Sequence, residues 1–98
     1  MRSLKEWQDQ FASAATAKFP NNTNWSEKDR VLSILRQLAD ISGALQKEEG
    51  ILPSSNHAHE DPDHRIAALI ADVLILVDER GYNLDEELEK VLTWYQSS

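Results

Sequence analysis

The sequence predicts an all-α fold built from four helices. Helix-start signals with Ser, Asp or Asn recur along the chain, and the apolar residues after each one follow steps of three and four residues. No segment alternates apolar and polar residues as a half-buried strand does. A chain of 98 residues is long enough for one domain and too short for two well-packed ones, so we expect a single helical domain over residues 1–98.

The first helix is predicted over residues 4–18. Ser3 and Glu6 form an S-x-x-E pair, in which each side chain satisfies an exposed N–H group of the first helical turn. One face of this helix is predicted to be buried, and its apolar positions are Leu4, Trp7, Phe11, Ala14 and Ala15.

A loop and a second helix follow. Residues 19–26 contain one proline and three asparagines, which favour turns, and this loop carries Trp25. The capping pattern recurs at Ser26, and helical periodicity then continues over residues 27–48 until Gly50 can end the helix. The apolar positions of this helix are Val31, Leu32, Leu35, Leu38, Ile41 and Leu45.

The third and fourth helices have equally clear boundaries. Asp61 followed by Pro62 is a strong start signal, and Gly81 suits a left-handed terminator, which predicts a helix over residues 62–80. Asn83 can cap the fourth helix, whose acidic first turn suits the positive end of the helix dipole. Its predicted buried face consists of Leu84, Leu88, Val91, Leu92 and Tyr95.

The third helix predicts self-association. From Ile66 to Val77, eleven of twelve residues are Ile, Ala, Leu or Val, and Asp72 is the exception. A helix that is apolar around its circumference must be covered on all sides, and three other helices of one short chain cover it only in part. We therefore expect a homodimer or tetramer whose second copy completes the bundle.

Composition excludes several classes of partner. The formal charge of −7 leaves no electrostatic footprint for a nucleic-acid duplex or an anionic membrane. Cysteine is absent, the N-terminal residues lack the pattern of a secretory signal, and the longest apolar run is too short to span a bilayer. These features predict a cytoplasmic protein.

Asp72 is the main candidate for a functional residue, and two interpretations stay open. A structural Asp would face a wet groove, cap a neighbouring helix, or pair with Arg30 or Arg36 across the bundle. Alternatively, Asp72 and Asp40, each placed inward near the middle of its helix, would share a hard cation such as Mg²⁺. Gln37 lies three residues before Asp40 and so on the same helix face.

The segments ALQKEEG and ALIADVLILVDERGYNLDEELEKV, separated by a variable loop, resemble the MazG-like all-α nucleotide pyrophosphohydrolases over residues 25–95. In that family an E-x-x-E pair on one helix and an E-x-x-D pair on the next bind Mg²⁺ at a dimer or tetramer interface. The metal ion activates water and holds the phosphates of a nucleoside triphosphate, which is cut to a monophosphate and pyrophosphate.

The resemblance implies Asp40 and Asp72 as metal ligands, since they match the second residue of each pair. Gln37 and Leu69 stand where the two Glu ligands belong, and Arg36 adds a positive charge beside the first pair. Two hypotheses follow: a Mg²⁺-dependent pyrophosphohydrolase with reduced or lost activity, or a noncatalytic oligomeric helical module with an interaction or regulatory role.

Two further features have alternative interpretations. Residues 50–60 are predicted to be a flexible connection. Alternatively, His57, His59 and His64, which lie in or near this segment among carboxylates, would bind zinc or nickel and make the protein a metal sensor. Trp25 and the other tryptophans, Trp7 and Trp94, suit core or interface packing. The family resemblance adds a nucleobase-stacking role for Trp25.

Overall fold

The computed structural model describes residues 1–50 and 61–97 and is all-helical over those residues. Helices α1 to α4 run over Leu4–Lys18, Glu27–Glu48, Pro62–Arg80 and Leu84–Gln96. The four predicted helices are confirmed. The predicted flexible connection lies mostly outside the described residues. Within the described ranges, none of the helices has both the length and the apolar character needed to cross a bilayer.

The N-terminal caps explain why α1 and α2 begin where they do. Ser3 Oγ accepts the N–H of Glu6 at 3.1 Å, and the Glu6 carboxylate accepts the N–H of Ser3 at 3.1 Å. At the start of α2, the N–H of Ser26 donates to Asp29 Oδ2 at 2.9 Å, and Ser26 Oγ accepts the N–H of Asp29 at 3.3 Å. Both are capping boxes, as the sequence predicts.

The boundaries of α3 and α4 also match the local signals. Asp61 Oδ1 accepts the N–H of Asp63, and Pro62 is the first residue of α3. Gly81 ends α3 with a φ of 70°, a left-handed conformation that a residue with a Cβ adopts only at a cost. Asn83 Oδ1 then accepts the N–H of Glu86 to begin α4.

The predicted loop between α1 and α2 contains a short 3₁₀ helix over Pro20–Asn24. Pro20 occupies its first position, where a missing N–H costs nothing, and Thr23 Oγ1 donates to the carbonyl of Pro20 at 2.8 Å. The prediction of an irregular loop was incomplete because a 3₁₀ helix of five residues is too short to show a periodic apolar pattern in the sequence.

Helix α3 lies at the centre of the described structure, with α1 and α2 packed against it. Leu74 and Val77 of α3 and Ala44 of α2 are the buried apolar side chains among the described residues. The central position of the most apolar helix agrees with its sequence. The small size of this buried set means that much of the apolar surface of the chain lies outside the core.

Several faces predicted to be buried are exposed within one chain. On α4, Leu84 is half-buried, and the other large apolar side chains are 44–73% exposed: Leu88, Val91, Leu92, Trp94 and Tyr95. On α2, the apolar side chains that remain exposed are Val31, Leu32, Leu35, Leu38 and Leu45. The helical periodicity was read correctly, but α3 covers only the side of α2 that carries Arg30 and Ala44. Helix α4 packs little against the other described helices.

Helix α1 shows the same difference between prediction and structure. Leu4 and Trp7 are both 39% exposed and Ala14 is exposed, whereas the polar Gln8 is buried. The amide Nε2 of Gln8 donates to Asp78 Oδ1 of α3 at 3.3 Å. Helix α1 therefore faces α3 with Gln8 rather than with Leu4 and Trp7, and Phe11 is partly buried.

Candidate functional site

Asp72 lies in a buried ion pair between α2 and α3. It is 7% exposed, and Arg30 opposite it is 6% exposed. Arg30 Nη1 donates to Asp72 Oδ1 at 3.1 Å, and Ser33 Oγ donates to Asp72 Oδ2 at 2.7 Å. Both oxygens of the carboxylate therefore have partners. Of the two arginines that the sequence left open, the structure selects Arg30, while Arg36 is exposed.

The guanidinium of Arg30 is held from three directions. Its Nε and Nη2 atoms lie 3.0 and 2.9 Å from Glu79 Oε1, two turns beyond Asp72 on α3. The indole ring of Trp25 lies against it, with 4.9 Å between Arg30 Cζ and the ring centroid. Two carboxylates thus share one buried cation, and the ring of Trp25 packs against it. A nucleobase-stacking role for Trp25 stays a prediction.

The Arg30 network borders a cavity of about 410 Å³ between α1, the 3₁₀ helix, α2 and α3. We call it the Arg30 cavity. Its ionisable lining side chains are Arg30, Asp72, Asp78 and Glu79, so carboxylates outnumber the single cation. The other lining residues are Ala12, Ala15, Thr16, Phe19, Asn22, Thr23, Trp25, Ser33, Gln37 and Ile75.

A second cavity of about 480 Å³ lies beside it and has a more apolar lining. Ala67, Ala68 and Ala71 of α3 form one side, and Gln37 and Asp72 line both cavities. Gln37 Oε1 is buried and has no hydrogen-bond partner among the described residues. A buried acceptor without a donor is costly, which marks this position as one where a donor or a cation would be favoured.

The two predicted metal ligands do not line a common cavity. The side chain of Asp40 is 54% exposed and lies 3.8 Å from Arg65 Nη1, so the expectation that it points inward was wrong. Asp40 lines neither of the two cavities that Asp72 lines. The reason is that α2 presents Arg30, Ser33 and Gln37 to α3, and position 40 falls at the edge of that face.

The described residues of one chain do not fit a Mg²⁺ ion at the family position. Leu69 supplies no oxygen, and both oxygens of Asp72 are engaged by Arg30 and Ser33. In the described ranges, no group of three or more His, Asp or Glu side chains is placed to hold a metal ion. Assignment of Asp40 and Asp72 as ligands stays a prediction, and it requires oxygens from a second chain or from substrate phosphates.

The histidine cluster is only partly described. His57 and His59 lie outside the described residues, and His64 is in the first turn of α3, where it lines the second cavity. Zinc or nickel binding by the three histidines stays a prediction.

Sequence reasoning missed two members of the site, Ser33 and Glu79. Both were detectable in principle: Ser33 lies three residues after Arg30 on α2, and Glu79 lies seven residues after Asp72 on α3. These spacings place each pair on one face of a helix. What the sequence did not show was which of the many acidic residues would face Arg30.

Comparison with protein-family models, with curated proteins and with solved structures finds no match to this chain. Assignment of a function therefore rests on the residues and their geometry.

Proposed function

We propose that the chain is a noncatalytic, self-associating helical module related to the MazG-like nucleotide pyrophosphohydrolases. The observation that carries this proposal is the exposure of the apolar faces of α2 and α4 in the single chain. A chain of this size needs an extensive apolar core to be stable, and the described residues bury only three apolar side chains. A second copy supplies the missing cover.

The charges beside these faces support an assembly of identical copies. The first turn of α4 is acidic, with Asp85, Glu86 and Glu87, whereas Lys28 and Arg36 flank the exposed apolar positions of α2. In our proposal, α4 of one copy lies along α2 of another, which pairs apolar surface with apolar surface and brings the acidic first turn of α4 towards the basic side chains of α2. Such an interface must bury roughly 1,200–2,000 Å² in total to be stable.

The loss of catalysis is supported by the side chains at the site. Gln37 and Leu69 replace two carboxylates that the family chemistry needs, and Asp72 is neutralised by a buried arginine. With its charge shared between Asp72 and Glu79, Arg30 also has little capacity to bind a phosphate group.

Analytical ultracentrifugation tests the assembly. We expect the wild-type chain to sediment as a dimer or tetramer at micromolar concentration, and Leu92→Lys to shift it towards monomer, because a charge is placed in the apolar face of α4. Glu89→Lys is the matched control, since it adds the same side chain to the same helix outside that face, and it should retain the wild-type assembly. A monomeric wild type, or equal effects of the two variants, would contradict the proposal.

The Arg30 cavity favours a second candidate, a nucleoside triphosphate pyrophosphohydrolase that uses Mg²⁺. Its volume of about 410 Å³ and its lining by Trp25 beside Asp72 suit a small polar and aromatic ligand. We expect no release of pyrophosphate from the four common nucleoside triphosphates in the presence of Mg²⁺. Hydrolysis by the wild type that disappears in Asp72→Asn would instead identify the chain as an enzyme.

A further inference from the structure

We infer that the guanidinium of Arg30 is a built-in cation that holds α2 against α3 without a metal ion, and that removing it opens a site for a divalent cation. This inference goes beyond the proposed function and does not depend on how many copies assemble.

The first support is the number of contacts that converge on one buried charge. Arg30 reaches Asp72 Oδ1 at 3.1 Å and Glu79 Oε1 at 2.9 Å, and it is 6% exposed. Its two acidic partners come from successive parts of α3, so a single side chain of α2 bridges about two turns of the neighbouring helix. A divalent ion that keeps part of its water shell would connect the same two carboxylates through its waters.

The second support is the balance of charge. The carboxylates of Asp72, Asp78 and Glu79 all line the Arg30 cavity, and Arg30 is the one cationic side chain in that lining. Without the guanidinium the buried Asp72 would lose its counter-ion, while the more exposed carboxylates of Asp78 and Glu79 add further negative charge to the lining. A positive charge is therefore favoured in this cavity, and the side chain of Arg30 supplies it.

The third support is the set of oxygen-bearing side chains in the lining of the Arg30 cavity. Asp72 Oδ1 and Glu79 Oε1 contact the guanidinium directly, and Ser33 and Gln37 are further members of the lining. Hard divalent ions prefer oxygen donors of this kind, and Mg²⁺ keeps several of its waters. The cavity has room for those waters, whereas the arginine at present occupies the position between the carboxylates.

Arg30→Met tests the inference because it removes the charge and keeps an unbranched side chain. The matched control is Arg36→Met, which removes an arginine from the exposed side of the same helix. Two measurements apply to the wild-type chain and to each variant. One is the thermal midpoint by circular dichroism in EDTA and in ~5 mM Mn²⁺, and the other is binding of Mn²⁺, followed by the loss of the free-ion electron paramagnetic resonance signal. Mn²⁺ serves as the probe because, like Mg²⁺, it prefers oxygen ligands.

For the wild type, and likewise for Arg36→Met, we expect the thermal midpoint measured in Mn²⁺ to equal the midpoint of the same protein in EDTA. Arg30→Met should have a lowered midpoint in EDTA, recover by at least about 4 °C in Mn²⁺, and bind about one ion per chain. A variant that folds only when Mn²⁺ is present would support the inference equally. Adding Asp72→Asn to Arg30→Met should abolish the response.

Three results would overturn the inference. One is a wild-type midpoint that rises with Mn²⁺, because the guanidinium would then not be excluding the ion. Another is an Arg30→Met variant that stays unfolded, or equally unstable, at every Mn²⁺ concentration. The last is Mn²⁺ binding that persists unchanged in the double variant, because the ion would then lie elsewhere on this acidic chain.

Discussion

Replacing Asp72 with alanine tests the energetic importance of the Arg30 network. The substitution removes the acceptor of the Arg30 Nη1 hydrogen bond and the acceptor of the Ser33 hydroxyl. Arg30 is left 6% exposed with Glu79 as its remaining acidic partner, and the side chain of Glu79 is 31% exposed. A buried cation thus loses its better-shielded counter-ion.

The expected loss can be estimated from the two contacts. Removing one partner of a buried ion pair costs about 3–5 kcal/mol, and a charge-assisted hydrogen bond contributes about 1.5–3 kcal/mol. Because Glu79 and the Trp25 ring still contact the guanidinium, we expect the lower end, a loss of about 3 kcal/mol in the free energy of unfolding. For a domain of this length that corresponds to a fall of roughly 12–24 °C in the thermal midpoint.

Urea unfolding followed by far-ultraviolet circular dichroism measures this loss. All proteins are compared at one concentration, because self-association makes apparent stability depend on concentration. Asp78→Ala is the matched control: it removes a carboxylate from the same helix, but its hydrogen bond to Gln8 is 3.3 Å long and Asp78 is exposed. We expect this control to lose no more than about 1 kcal/mol.

A double-mutant cycle separates the ion pair from general damage to packing. The combination of Arg30→Met with Asp72→Ala should cost less than the sum of the single changes, with a coupling of at least about 1.5 kcal/mol. The reasoning is refuted if Asp72→Ala loses less than about 1 kcal/mol, if it matches Asp78→Ala, or if the two changes are additive.

Three smaller effects follow from the backbone and surface geometry, and urea unfolding measures each of them. Gly81→Ala should destabilise the chain by about 1 kcal/mol because φ is 70° there. The control Gly43→Ala lies within α2 with open space around the new Cβ, and it should be neutral or stabilise by up to about 1 kcal/mol. Equal effects of the two variants would contradict this. Ser26→Ala should lose about 1 kcal/mol with the capping box, and an unchanged midpoint would mean that the cap contributes nothing. Glu27→Gln breaks the exposed pair with Arg80 and should change stability by less than about 1 kcal/mol, a loss that 0.5 M NaCl in the wild type should reproduce.

The helices were predictable because their signals are local. Ser3, Ser26, Asp61 and Asn83 each cap through an N–H two or three residues ahead, and Gly81 ends α3 by its own backbone conformation. Such interactions form within one helical turn, so both partners lie within a few residues of each other in the sequence. The 3₁₀ helix was not predicted because it is only five residues long and carries no apolar periodicity.

The burial of each face was less predictable. The sequence correctly marked apolar stripes on α2 and α4, but a stripe shows only that a helix favours cover, not which element supplies it. In the described chain, α1 and α2 cover α3 only in part: Ile66, Ile70 and Val73 of α3 remain exposed, and so does the stripe of α4. The sequence predicted that a second copy covers α3. The structure adds the exposed apolar faces of α2 and α4 as surfaces that also lack cover in the described chain.

By itself, the sequence determined the helical class, the starts of the four helices, the ends of the first three and the presence of one anomalous carboxylate within the most apolar helix. Only the tertiary structure decided that Asp72 meets Arg30, that Glu79 shares the guanidinium, and that Asp40 lies apart at an exposed edge. The physical reason is distance along the chain. A cap is fixed by neighbours a few residues away, whereas the partners of this ion pair are 42 residues apart and meet only through the packing of two helices.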